Sequence, residues 1–192
     1  MKKAIFSVEE ARRIAWQTEP KTLKLQLHQW VRSGEIIRLK RGIFALPGEV
    51  RDKMEVARAL YGPAYVSLEF ALHAYGLLPD VPFTVTLVTP KTTRKIDTPV
   101  GQFVYHKIKE DLFWGYDPVT LMGEREKALI DYLYLYRRRL IPHVEFWDSL
   151  RWQNLREVNF TKARAYAGRC RVKKVLELTK SLEEYRRTYG RR

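Results

Sequence analysis

Between Pro20 and Arg32 the chain carries a set of side chains suited to reading the edges of bases. At the roughly 100° per residue of an α-helix, Lys21, Thr22, Leu25, His28, Gln29 and Arg32 fall on one arc, with Lys24 and Gln26 at its edges. Leu23, Leu27, Trp30 and Val31 fall within another arc of about 100°, the width of a stripe that packs on a core. Arg and Lys donate to guanine O6 and N7, Gln pairs bidentately with adenine, and a Thr methyl or an apolar side chain meets the methyl of thymine. Leu25, an apolar residue on the polar arc, either contacts a thymine methyl or packs against the rest of the chain. Downstream, Lys40 and Arg41 place two cations at a turn that Gly42 permits, where they are expected to reach phosphates or the minor groove, and Arg38 is expected to neutralise a further phosphate.

Local signals define the elements that must hold these residues. Ser7 and Glu10 have the spacing of a capping box, which predicts a helix from Val8 to about Trp16. Pro20 suits the first turn of the next helix, and Gly34 suits its C-terminal stop after Ser33. Glu35 to Leu39 and Ile43 to Leu46 read as a β-hairpin with a basic tip at Lys40-Arg41-Gly42. Helix, helix and hairpin in that order predict a winged helix-turn-helix over residues 1–49, ending at Pro47-Gly48.

Residues 50–192 read as a mixed α/β domain ending in helices, so the fold class is α+β. Helices are expected from Asp52 to Tyr61, from a Ser67 cap through Tyr75, from Glu124 to Arg139 and from Val172 to Tyr185. Strands are expected at Phe83 to Val88 and Gln102 to Ile108, with Pro90 to Pro99 as a basic loop between them. Ala128, Leu129, Tyr132, Leu133 and Tyr136 should line one side of the Glu124 helix.

Charge is unevenly spread. Residues 1–50 hold ten Lys and Arg against five acids, residues 51–130 ten of each, and residues 131–192 sixteen against seven, within a total of +14. Such an excess favours a polyanionic partner. Arg137, Arg138, Arg139, Arg171, Lys173 and Lys174 are candidates for a second basic surface, the alternative being solvated helix faces.

The composition argues against several other classes. Cys170 is a lone cysteine, and His28, His73, His106 and His143 show no paired-ligand spacing, so neither a disulfide, a metal nor a cofactor is expected. No phosphate-binding glycine loop, nucleophile elbow or cluster of carboxylates is present, and an enzyme is not expected. Glu126, Lys127 and Asp131 suit helix-end electrostatics and local ion pairing better than catalysis, and Tyr132, Tyr134 and Tyr136 should divide between core and solvent. The start of the chain reaches Glu9 and Glu10 before an apolar run forms, no stretch is long and apolar enough for a membrane helix, and a cytoplasmic location is expected.

The run Leu27-His28-Gln29-Trp30-Val31-Arg32-Ser33-Gly34-Glu35-Ile36-Ile37-Arg38-Leu39-Lys40-Arg41-Gly42-Ile43-Phe44 resembles the winged-helix signature of the AbiEi-type antitoxins, repressor partners of AbiEii-type toxins. Pro63 to Leu72 with Tyr75-Gly76-Leu77, then Thr98 to Tyr105, and then Glu126 to Asp131 resemble later landmarks of that family, in its order. The resemblance covers about residues 5–135. It implies a repressor of its own operon, bound to double-stranded operator DNA, that neutralises a nucleotidyltransferase-like toxin through its C-terminal region, directly or indirectly. Winged helices of that family usually have a further helix first, whereas six residues precede the Ser7 cap of the Val8 helix here, which implies a trimmed or homodimer-dependent DNA-binding unit. Beyond about residue 140 no family pattern is followed. The competing expectations are a free-standing winged-helix regulator whose second domain senses a ligand or dimerises, and a nucleic-acid-processing enzyme.

Overall fold

The computed structural model describes residues 4–50 and 52–189; Met1, Lys2, Lys3, Arg51 and residues 190–192 lie outside it, and with them part of the N-terminal leader reading. The fold is mixed α+β, with eight α-helices and two sheets among the described residues.

The N-terminal unit is held by short-range chemistry. Ser7 Oγ accepts from the Glu10 amide at 3.1 Å and the Ser7 amide donates to Glu10 at 2.8 Å, closing the capping box that starts α1 (Val8–Ile14). This helix stops two residues short of the expected Trp16. Pro20 opens α2 (Pro20–Ser33), and Gly34 ends it at φ 80°, a left-handed conformation that costs glycine little. The hairpin is β2 (Ile37–Lys40) and β3 (Ile43–Ala45), with Gly42 at φ 81° in its turn. A strand not expected from the sequence, β1 (Ile5–Ser7), pairs antiparallel with β3, placing Phe6 opposite Phe44. The sheet order is β1-β3-β2.

Both faces of this small sheet are used. Ile36 and Phe44 join Leu23 and Leu27 of α2 in a compact core, with Phe6, Val8 and Val31 packed around it. Ile5, Leu39 and Ala45 belong instead to the main core of the molecule. The Pro47-Gly48 junction therefore connects parts that share buried side chains.

The larger unit is built on a second sheet. Its strands are β4 (Tyr65–Val66), β5 (Thr84–Thr89), β6 (Arg94–Thr98) and β7 (Gly101–Lys107), in the order β4-β5-β7-β6. β5 and β7 run parallel and the other pairs antiparallel. The expected loop from Pro90 to Pro99 is thus partly an edge strand, whose charged side chains remain largely outside. Around the sheet lie α3 (Lys53–Leu60), α4 (Leu68–Ala74), α5 (Arg125–Tyr136), α6 (Val144–Ser149), α7 (Phe160–Arg169) and α8 (Lys173–Tyr189).

Helix α5 is buried on all sides rather than on one, because α4, α7 and α8 pack around it. Two of its three buried charged residues neutralise each other: Lys127 forms an i,i+4 ion pair with Asp131, both only 2% exposed. Lys127 also donates to the Tyr65 hydroxyl at 2.6 Å, and Tyr65 and Ser67 donate to Asp131 at 2.7 and 2.9 Å. Burial pushes the Asp131 carboxyl up, and Lys127, Tyr65 and Ser67 pull it back down. Ser67 sits at the N-cap of α4 as expected, yet its hydroxyl serves Asp131 and makes no cap bond. Tyr132 and Tyr134 are buried, while Tyr136 is half-buried.

Candidate nucleic-acid interface

Leu23 and Leu27 press α2 onto the small core, which turns the opposite face outward. Lys21, Thr22, Lys24, His28, Gln29 and Arg32 are exposed, and Gln26 is half-buried. Leu25 is 64% exposed and packs on no core. The inner arc is narrower than the wheel predicts: Trp30 lies at its edge and is 38% exposed.

Between α1, α2 and the hairpin lies a groove of about 980 Å³. From α2 it receives Lys21, Lys24, Leu25 and His28, from the hairpin Arg38 and Arg41, and from α1 Arg12 and Glu9. Leu23, Leu27, Val31 and Phe44 form its apolar floor. Five Lys and Arg side chains therefore face one acid across a concave surface. Among the described residues none of these five forms an ion pair. Thr22, Gln26, Gln29 and Arg32 lie on the same helix outside the groove lining.

Lys40 departs from the expectation of a projecting tip. Its ammonium donates to the Leu60 carbonyl at the end of α3, and it is half-buried. Burial lowers its pKa, with Arg94 and Lys91 as further causes. Those two residues were not singled out in the sequence. Arg94 and Lys91 lie 5.0 and 5.5 Å from the ring centre of Tyr61, and Lys91 also donates to the Gly62 carbonyl. Lys40 and Lys91 thus serve carbonyls at the negative end of the α3 dipole. No carboxylate among the described residues pairs with Lys40, Lys91 or Arg94.

The six basic residues singled out in the C-terminal region do not form one surface of this kind. Arg137 donates to the Tyr134 carbonyl and stacks 4.7 Å from that ring, closing its own helix. Arg138, Arg139 and Arg171 are exposed, Lys173 stands 3.9 Å from Glu177, and Lys174 is half-buried. None lines the groove.

Among the described residues no group of three or more His, Cys, Asp or Glu is placed to hold a metal ion. No helix among them is long and apolar enough to cross a membrane. Burial pushes the Cys170 thiol up to about 11, which keeps it protonated and unreactive near neutrality. Compared with protein-family models and with curated protein sequences, the chain matches none.

Proposed function

We propose that the chain binds duplex DNA through α2 and the β2–β3 hairpin, acting as a winged helix-turn-helix regulator. The observation that carries this reading is the groove in which cations from three elements converge with a single acid among them. A helix of about 10–12 Å diameter fits a major groove about 12 Å wide. With α2 so seated, Leu25, His28 and Gln29 meet base edges, while Lys21, Lys24, Arg32, Arg38 and Arg41 neutralise phosphates. Base contacts specify sequence and phosphate contacts set register.

For the larger unit we propose the antitoxin role that the AbiEi resemblance implies, with autorepression of a shared operon. What supports it is that residues from two of the separate landmark runs meet: Tyr65 and Ser67 from one, Lys127 and Asp131 from the other. Landmarks that build one buried network belong to one fold.

Fluorescence anisotropy with labelled duplexes at a series of salt concentrations tests DNA binding. The expected log–log slope is about −0.9 per phosphate neutralised, and a slope near zero overturns the proposal. Co-expression with a toxin candidate encoded beside this chain tests the second role. Growth arrest that the full chain fails to relieve overturns it.

A further inference from the structure

Away from the groove, a cavity of about 320 Å³ opens in the larger unit between α4, α5, the turn after α6 and the segment leading to β5. Its wall includes Glu69, Leu78, Asp80, Tyr132, Ser149 and Leu150. Glu69 Oε2 is shielded from solvent, and no donor among the described residues reaches it. A carboxylate oxygen withdrawn from water is costly unless a donor, preferably a charged one, meets it.

The groups that face Glu69 supply no positive charge. Burial lowers the pKa of the His106 imidazole, so the ring is neutral near pH 7. Burial raises the Tyr132 phenol to about 12; burial, and then Glu69, toward whose carboxylate its hydroxyl makes a hydrogen bond, raise Tyr136 as well, so both stay protonated and uncharged and only Glu69 Oε2 is left without a donor. Arg151, the one Lys or Arg in the cavity wall, is held by Asp80 at 2.6 Å.

A second orphaned atom lies beside the same ring. Trp152 meets Tyr132 edge to face at 5.9 Å, is 8% exposed, and presents an indole N–H that reaches no acceptor among the described residues. One unmatched carboxylate oxygen in the cavity wall and, just outside that wall, one unmatched indole donor thus lie near Tyr132. Most buried polar groups find partners, so each of these atoms calls for one.

We propose that this cavity binds a small organic cation, an aliphatic amine whose ammonium donates to Glu69 Oε2 while its chain lies against Tyr132, Leu78 and Leu150. At about 30 Å³ per water, the space amounts to roughly ten waters, enough for a short alkylamine and too little for a nucleotide. The aromatic wall adds cation–π attraction, which neutral ligands forgo. In a chain of net charge +14, an acid-lined cavity whose only cation is already paired is the local reverse of the overall field. The site is independent of the DNA-binding groove, so either proposal stands without the other.

The test titrates n-butylammonium chloride into the ¹⁵N-labelled full chain, following the Trp152 indole N–H resonance, assigned from its disappearance in Trp152→Phe. A saturable shift of that resonance is expected, together with a rise in melting temperature. Isosteric n-butanol and sodium butyrate should produce neither. Glu69→Gln should weaken binding by about tenfold or more, since it removes a charge-assisted hydrogen bond. Ser149 is exposed at the mouth, so Ser149→Phe should block entry without disturbing the core, and it decides the matter if Glu69→Gln fails to fold. No saturable shift, an equal response to butanol, or unchanged affinity in Ser149→Phe would overturn the proposal, the two atoms then being served by water alone.

Discussion

Helix α5 and helix α2 both carry charge at short spacing, and the structure puts that charge to opposite uses. In α5, Lys127 and Asp131 close on each other inside the core, with Tyr65 and Ser67 completing the set. In α2 and the hairpin, Lys21, Lys24, Arg38 and Arg41 stand around an open groove without carboxylate partners among the described residues. Charged residues are thus poor indicators of function until their counter-ions are located. A matched buried pair is satisfied within the fold, whereas unmatched exposed cations remain available to an anion from outside.

The largest effect expected from breaking this contrast falls on the closed side. Asp131→Ala leaves Lys127 charged and unpaired in the core, and should cost about 3–5 kcal/mol in urea unfolding. The variant's folded fraction should bind duplex DNA as the native chain does. A loss below about 1 kcal/mol would mean that the network is not structural.

On the open side, Arg38→Ala with Arg41→Ala should leave the melting temperature nearly unchanged. The double variant should weaken binding to every duplex by about 2 kcal/mol, and make the salt slope shallower by about 1.8. Unchanged binding would remove the hairpin from the interface. Leu25→Ala and Gln29→Ala should each cost about 1 kcal/mol of discrimination, seen as relaxed preference in a selection from random duplexes. Equal losses on preferred and random sequences would contradict base contact by α2. The smallest effect is expected at the α3 terminus, where Lys91→Ala with Arg94→Ala should shift affinity by about 0.5 kcal/mol while still flattening the salt slope. A slope identical to that of the native chain would confine the phosphate path to the N-terminal unit.

Much of the N-terminal unit was legible, because its signals are local. The capping box, Pro20, Gly34 and Gly42 act within a few residues of themselves. β1 was not legible, since three residues form it and its partner is almost forty positions away. β6 was hidden for a related reason: an edge strand that keeps its charges outside, Arg94-Lys95-Ile96-Asp97-Thr98, resembles a polar loop. In α5, uniform burial removes the one-sided pattern from which helical packing is inferred. At the site, the exposed arc of α2 followed from spacing alone, but Lys40 did not. Its neighbours Leu60, Lys91 and Arg94 come from 20, 51 and 54 positions further along the chain. Counting charge by block made residues 51–130 neutral and concealed Lys91 and Arg94 at the hairpin's side. The cavity at Glu69 was equally hidden, because its walls meet only after four segments fold together.

The small sheet has one face in each of two cores, with Phe44 on one side and Ile5, Leu39 and Ala45 on the other. If the N-terminal unit reads DNA as proposed, this mounting solders it to the larger unit instead of hanging it on a tether. If two copies of the chain pair through their larger units, the distance between their α2 helices is a fixed gauge. Operators would then be sorted by the interval between half-sites as strictly as by their bases, and an inserted or deleted base pair at the centre would act like a wrong letter.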